Sequence, residues 1–240
     1  MIHGAFFTDK GTRDENEDSV RLKEEGGCIA AVVADGLGGQ GGGRQASGIA
    51  VNRLCEFLIS ENCKEELHKR FAAANKEILE AQKPGMKMMS TAVALFVSGS
   101  RAVWAHMGDS RLYHFLDGSL VFQTFDHSVS QMAVFRGAIT QEEIRFHEDR
   151  NRVLRALGGD EEAKEETGSG ELEKGFHAFL LCTDGFWEYV LESEMENTLS
   201  DSATPEEWLV SMCNILQQKN SPEHDNFTAA AVFYTGEETV

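Results

Sequence analysis

Cys28-Ile29-Ala30-Ala31-Val32-Val33-Ala34-Asp35-Gly36-Leu37-Gly38-Gly39 is the stretch on which the reading of this chain turns. From Ile29 to Ala34 no side chain is polar, which marks a buried strand. Asp35 stands where that strand ends and glycines begin, so its carboxylate is presented where backbone can approach a ligand closely.

Runs of the same kind recur along the chain at Thr91–Val97, Ala102–His106, Leu120–Thr124, Phe176–Cys182 and Thr228–Tyr234. The turns Leu116-Asp117-Gly118-Ser119 and Ser98-Gly99-Ser100 are too short for a parallel crossover and predict antiparallel hairpins. Two long helices are expected between the first and second runs. Ala50, Leu54, Phe57 and Leu58 share one face of the first, while Leu67, Phe71, Ala74, Ile78 and Ala81 repeat at helical spacing on the second, up to a stop at Pro84-Gly85. A later helix opens at Thr204-Pro205-Glu206-Glu207, a capping box with proline in the first turn, and buries Trp208, Met212, Ile215 and Leu216.

Antiparallel strands with inserted helices point to an α+β fold: two stacked β-sheets, a β-sandwich, flanked by helix pairs. The 240 residues suit a single domain spanning 1–240. Residues 126–157, with a second capping box at Thr140-Gln141-Glu142-Glu143, are expected as a small subdomain beside the sheets. Asp160 to Lys174, rich in Glu and Gly, reads as an exposed loop.

The charge balance narrows function. With 22 Lys and Arg against 40 Asp and Glu the net charge is −18, which disfavours nucleic acid and anionic membrane as partners. The five cysteines are odd in number and contain no C-x-x-C pair, so neither a disulfide framework nor a structural zinc site is expected. No signal-peptide pattern opens the chain and no apolar run approaches about 18 residues. A cytoplasmic protein is expected.

Asp35 has counterparts. Asp184 follows Phe179-Leu180-Leu181-Cys182 and precedes Gly185, Asp109 sits in His106-Met107-Gly108-Asp109-Ser110-Arg111, and Asp225 precedes the final strand. Any one of these is read as an ordinary turn aspartate. Converging on one sheet edge, they would make a two-metal site for hard cations such as Mg²⁺ or Mn²⁺, able to activate a water for attack on phosphate. No G-x-S-x-G, P-loop or H-E-x-x-H pattern supports a competing chemistry. His106, His127 and His177 fit no helical ligand spacing and are read as structural or surface residues, and Cys182 as an inert core thiol.

Eight segments in order carry a family resemblance: Arg13-Asp14-Glu15-Asn16-Glu17-Asp18, Val33 to Gly39, Ser90-Thr91, Gly108-Asp109-Ser110-Arg111, Asp126-His127-Ser128, Arg155-Ala156-Leu157-Gly158, Thr183-Asp184-Gly185 and Asp225-Asn226-Phe227-Thr228. Together they resemble the metal-dependent serine/threonine phosphoprotein phosphatases of the 2C type, in particular the compact bacterial branch, over about residues 4 to 234. The resemblance implies that Asp35 bridges two metals, Mn²⁺ or Mg²⁺, and that the Gly36 carbonyl binds one of them. It further implies that Asp184 and Asp225 complete the other metal's shell, and that Glu17 and Asp18 act directly or through water. Asp109, with Asp184, matches a third, weaker metal position. Arg13 matches the arginine that receives the substrate phosphate, and 126–157 matches the family's flap.

Hydrolysis of phosphoserine and phosphothreonine by a water or hydroxide between the metals, without a phosphoenzyme, is the implied reaction. Phosphorylated proteins are the implied substrates, a companion serine/threonine kinase the implied partner, and a monomer the expected state. Two departures stand out: Leu37 replaces a histidine proposed as general acid in eukaryotic relatives, and Met89 replaces the usual glycine before Ser90-Thr91. A catalytically silent phosphoprotein-binding member and a phosphatase dedicated to one signalling protein are the rival readings. Retention of Asp35, Asp184 and Asp225 opposes the first, and a chain that ends soon after its last strand, with no sensory domain attached, lowers the second.

Overall fold

The computed structural model describes residues 1–38, 42–56, 63–219 and 223–236. Phe57 and Leu58, Gly39 to Gly41 of the glycine run, and residues 237–240 lie outside the described residues. The chain opens with β1 (Ile2–Asp9), β2 (Ser19–Glu25), β3 (Cys28–Ala34), β4 (Gly36–Leu37), α1 (Gly42–Leu54), α2 (Cys63–Ala81) and β5 (Met89–Ser90). Two hairpins follow, one in each sheet: β6 (Ala92–Ser98) with β7 (Arg101–Met107), and β8 (Arg111–Leu116) with β9 (Ser119–Gln123). Then come α3 (Val129–Phe135), a 3-10 turn (Glu142–Phe146), β10 (Glu166–Glu171), β11 (Phe176–Cys182), α4 (Asp184–Trp187), α5 (Glu192–Ser200), α6 (Pro205–Gln218) and β12 (Phe227–Thr235).

The architecture is α+β, with two five-stranded antiparallel sheets ordered β1-β12-β11-β8-β9 and β10-β7-β6-β3-β2. Strand alternation explains the uninterrupted apolar runs. Ile29, Ala31 and Val33 of β3 pack into the layer between the sheets, with Val93, Leu95, Phe179, Leu181, Ala230 and Val232. Ala30, Val32 and Ala34 point the other way, to Ala50 and Leu54 of α1 and Leu67, Phe71 and Ile78 of α2. β11 divides likewise, sending Ala178, Leu180 and Cys182 toward Trp208, Met212 and Leu216 of α6. A strand covered on both faces has no position at which a polar side chain is tolerated without a partner.

The hairpins at Ser98–Arg101 and Leu116–Ser119 form as the short turns require. α2 ends at Ala81, ahead of the predicted stop at Pro84-Gly85, and Thr204 accepts from the Glu207 amide at the start of α6. Glu207 reaches back to the Ala203 amide rather than to Thr204, so the box closes one residue early. Ile215 is only half-buried. The Thr140–Glu143 box is also real in part, since Glu143 accepts from the Thr140 amide, but it starts a 3-10 turn.

One expectation is overturned. Asp160 to Lys174 is not simply an exposed loop, because β10 lies within it and pairs antiparallel with β7. Its Glu-Thr-Gly-Ser-Gly-Glu composition has low strand propensity. Gly168 nonetheless fits there, since a β-carbon would sit 2.3 Å from the Trp104 ring. β1, β2 and α5 likewise escape the apolar-run criterion. β2 is an edge strand carrying Arg21, Lys23, Glu24 and Glu25, a composition that discourages pairing with another chain.

Residues 126–157 leave β9 and return beside the sheets, bridged at Ser128–Val153 and Ser90–Leu157. Leu37 and Met89, the two departures from the family pattern, are cross-strand partners in β4–β5. No described helix is long and apolar enough to cross a membrane.

Candidate metal centre

The site forms where β3, β11 and β12 end or begin at one rim of the sandwich. Asp35 leaves β3 directly, and its backbone is clamped on both sides. Its amide donates to Thr91 Oγ1 at 3.0 Å, its carbonyl accepts from the Thr91 amide at 2.8 Å and from Ser90 Oγ at 2.9 Å. Thr91 Oγ1 and Ser110 Oγ lie 2.6 Å apart, which extends the clamp to the Gly108–Arg111 turn.

Gly36 is pressed against the first turn of α1, where an added β-carbon would lie 2.2 Å from the Gly43 carbonyl oxygen. Only glycine permits that approach, and Gly43 opposite is constrained likewise, since a β-carbon there would lie 2.4 Å from the Gly36 carbonyl oxygen and 2.8 Å from Glu17 Oε1. The amides of Gly43 and Arg44 lower the Glu17 pKa, but burial outweighs them and raises it overall.

Asp18 is 7% exposed, with Oδ2 accepting from Thr183 Oγ1 at 2.9 Å. Its other oxygen, Oδ1, is buried and has no hydrogen-bond partner. Asp184 opens α4 and Oδ1 accepts from the Gly185 amide at 2.7 Å. Asp109 is buried, and its carbonyl accepts from Trp187 Nε1 at 2.9 Å. Asp225 Oδ1 accepts from the Asn226 amide, and both of its oxygens accept from the Arg13 guanidinium.

Of the residues expected from sequence, Arg13, Glu17, Asp35, Gly36, Asp109, Asp184 and Asp225 line one cavity of about 630 Å³. Asp18 is the exception, lying beneath the cavity against Thr183. Burial raises the pKa of Asp35 well above the carboxylate range, and the charges of Asp184, Asp18, Asp109 and Asp225 add to it. Asp184 is raised for the same reasons, with Asp109 its largest charged neighbour. Burial pushes Asp18 and Asp109 up to about 7. Such carboxylates are missing their counter-charge. An all-oxygen donor set, a partnerless buried Asp18 oxygen and mutual repulsion fit a pair of hard divalent cations.

Asn226, Arg111 and Asp126 stand in the family segments, but sequence reasoning gave none of them a role in holding this rim together. Asn226 Oδ1 accepts from the Glu17 amide, while its Nδ2 donates to the Lys10 and Glu15 carbonyls, so one amide side chain shapes the loop from 10 to 17. Asn151 and Val153, from 126–157, line the cavity. Arg111 lies over the Trp187 ring at 3.5 Å and forks onto Asp126 at 2.7 and 2.8 Å, tying the Asp109 turn to 126–157. The spacing of Asn226 beside Asp225 was visible, but nothing local said that its side chain would turn to a segment over 200 positions away.

Cys182 is fully buried and its thiol pKa is raised by burial, as an inert core residue requires. His177 lies apart from the centre, its Nδ1 2.9 Å from His114 Nε2. His106 and His127 do meet, with ring centroids 4.7 Å apart.

The sequence profile of a family described as Protein phosphatase 2C matches residues 10–226. The serine/threonine phosphatase Stp of Listeria monocytogenes is 33% identical over 215 residues, covering 85% of this chain and 85% of that protein. The crystal structure of Stp1 from Staphylococcus aureus superposes with a TM-score of 0.88 at 27% identity, covering 98% of this chain and 96% of that one. The catalytic domain of the phosphatase PstP, in complex with two manganese ions, gives a TM-score of 0.82 at 28% identity over 96% and 97%.

Proposed function

Because this chain belongs to the protein phosphatase 2C family, we propose that it is a metal-dependent serine/threonine phosphoprotein phosphatase that hydrolyses phosphoserine and phosphothreonine by direct attack of water. The observation that carries the reading is the convergence of Asp35, Asp109, Asp184 and Asp225 with Arg13 around one cavity.

Asp35, Asp184, Asp225 and the Gly36 carbonyl would hold two cations, Mn²⁺ or Mg²⁺, with Glu17 and Asp18 behind them. Asp109, held up by burial and the Asp126 charge, and Asp184, held up by burial and the Asp109 charge, would take a third, weaker one. When bound, such cations neutralise phosphate charge and make a water nucleophilic near neutral pH. Arg13 supplies a planar fork of donors for the phosphoryl oxygens. The water oxygen bonds to phosphorus as the bond to the serine or threonine oxygen breaks, and that oxygen leaves with a proton. Leu37, on the cavity wall, has no proton to give, so leaving-group protonation would fall to metal-bound water or another group. No serine, threonine, cysteine or histidine is among the described lining residues of this cavity, which supports hydrolysis without a phosphoenzyme on such a group.

The same reading treats residues 1–240 as one catalytic unit with 126–157 as its flap, acting as a cytoplasmic monomer on proteins phosphorylated by a companion serine/threonine kinase. Asn151 and Val153 at the cavity support the flap assignment. The test is phosphate release from a phosphothreonine peptide with Mn²⁺, with excess chelator, and with Asp184→Asn in Mn²⁺. Activity that requires metal and collapses in the variant is expected. Wild-type protein that binds Mn²⁺ yet releases no phosphate from several phosphopeptides would overturn the general hydrolase reading in favour of a binding module.

A further inference from the structure

His106, near the end of β7, and Glu166, at the start of β10, are paired across the two strands, and His127 lies against them from the opening of 126–157. None of the three lines the acidic cavity. His106 Nε2 donates to the Phe125 carbonyl at 2.9 Å, which fixes its tautomer and leaves Nδ1 as a bare lone pair. That Nδ1 is buried without a hydrogen-bond partner, and so is Nε2 of His127. Two orphaned imidazole nitrogens in one place are unusual, because buried polar atoms are nearly always satisfied. One nitrogen of each ring and a Glu166 carboxylate oxygen lie within 4.8 Å of one another, and His127 Nε2 is 3.6 Å from Glu166 Oε2.

Other charges bear on the cluster. Arg155 lowers the proton affinity of both rings, and Glu166 and Asp126 act in the opposite sense on His106. Burial is the largest influence on each, and it pushes His127 down to about 3. Both imidazoles are therefore neutral at physiological pH, the state a metal ligand must have. Asp126 is already spent on Arg111, which leaves Glu166 as the anionic member. Its side chain is 62% exposed, so the cluster opens to solvent on that side.

We propose that His106 Nδ1, His127 Nε2 and the Glu166 carboxylate form a Zn²⁺ site, with a water as fourth ligand, separate from the carboxylate centre. Two imidazoles and one carboxylate are a zinc donor set, whereas the all-oxygen centre suits Mn²⁺ and Mg²⁺. The proton on His127 has to move for this to happen. In the metal-free protein His127 Nδ1 accepts from the Gly108 amide at 3.2 Å, so the ring proton sits on Nε2. Zn²⁺ takes Nε2, the proton relocates to Nδ1, and the long bond from Gly108 is given up. Gly108 precedes Asp109, so zinc binding is read out at the turn that enters the acidic cavity.

The experiment uses full-length protein saturated with Mn²⁺ and given one equivalent of Zn²⁺. Zinc-edge X-ray absorption should show two imidazole ligands, and the Gly108 amide resonance of a diamagnetic Mg²⁺-loaded sample should shift on adding Zn²⁺. Competition against a chromogenic chelator should show zinc affinity at least tenfold weaker in His106→Gln and Glu166→Gln. Glu166→Gln, on an exposed edge position, retains the fold, and both variants keep metal-dependent phosphate release in zinc-free buffer. An oxygen-only zinc shell, or wild-type zinc affinity in both variants, would overturn the site and leave a bridging water as the occupant of the cluster.

Discussion

The guanidinium of Arg13 forks onto Asp225, with Nε donating to Oδ1 at 2.9 Å and a terminal nitrogen to Oδ2 at 2.8 Å. The residue expected to receive phosphate is thus held by a residue expected to bind metal. Both side chains are substantially exposed, and pairs of that kind contribute little net stability, about 0 to 1 kcal/mol. The fork can therefore be exchanged for a cation on Asp225 and a phosphate on Arg13 at small cost.

Arg13→Ala should raise KM for a phosphopeptide about tenfold or more, the loss expected for a charge-assisted double hydrogen bond. Arg13→Lys should restore only part of it, because an ammonium cannot fork. Mn²⁺ affinity should stay equal or tighten, since a competing cation is gone from Asp225. Steady-state kinetics and calorimetric Mn²⁺ titration check the two halves, and weaker Mn²⁺ binding in Arg13→Ala would contradict the exchange.

Asp18→Asn should act with opposite signs on the two forms of the protein. Removing one of several crowded buried charges should raise the Tm of the metal-free protein. It should also weaken Mn²⁺ binding by about tenfold to a hundredfold, as loss of supporting ligation does. Thermal melts with and without Mn²⁺ read both, and a variant that lowers Tm in each condition would place Asp18 as a purely structural residue.

Metal-free protein should lose stability as pH rises from about 6.5 to 8.5. Asp18 and Asp109 titrate near about 7 in the folded state, above their ordinary range, so the folded state binds more protons than the unfolded chain until those groups ionise. The stabilisation is complete below the unfolded carboxylate range and is lost through neutral pH. His106, His114 and His127 have lowered values and the opposite sign, because acid protonates the unfolded chain first, and their contribution fades as the unfolded histidines lose their protons at the foot of this window. Saturating Mn²⁺ should flatten the decline. A Tm that rises across the window without metal would rule out uncompensated carboxylates.

Arg111 and Asp126 are each about 1% exposed at the side chain and bonded by two contacts. Asp126→Ala leaves a buried guanidinium unpaired and should destabilise the fold by about 3 to 5 kcal/mol. Arg111→Met combined with Asp126→Leu should recover much of that loss, because two apolar residues leave no charge behind. Urea denaturation of the single and double variants decides it.

Much of the site was legible because aspartates at strand ends announce themselves locally. Asp35 and Asp184 follow uninterrupted apolar runs and meet glycine, a pattern that places a carboxylate at a sheet rim before any partner is known. β10 was not legible, because its strand character comes from pairing with β7 and from a glycine seated on Trp104. The histidines show the same limit. His106 and His127 are separated by a spacing that fits no single helix, and they meet only because β7 and 126–157 are brought together.

By itself the sequence determined which strands are buried on both faces, where the chain reverses, and which acidic residues stand at the reversals. Those properties depend on side chains within a few positions of one another, through burial periodicity and turn chemistry. Tertiary structure alone decided that Arg13 grips Asp225, that Asn226 shapes the loop from 10 to 17, and that His106, His127 and Glu166 share one corner. Such contacts span much of the chain, and they follow from the order in which strands lie side by side, which no local pattern encodes.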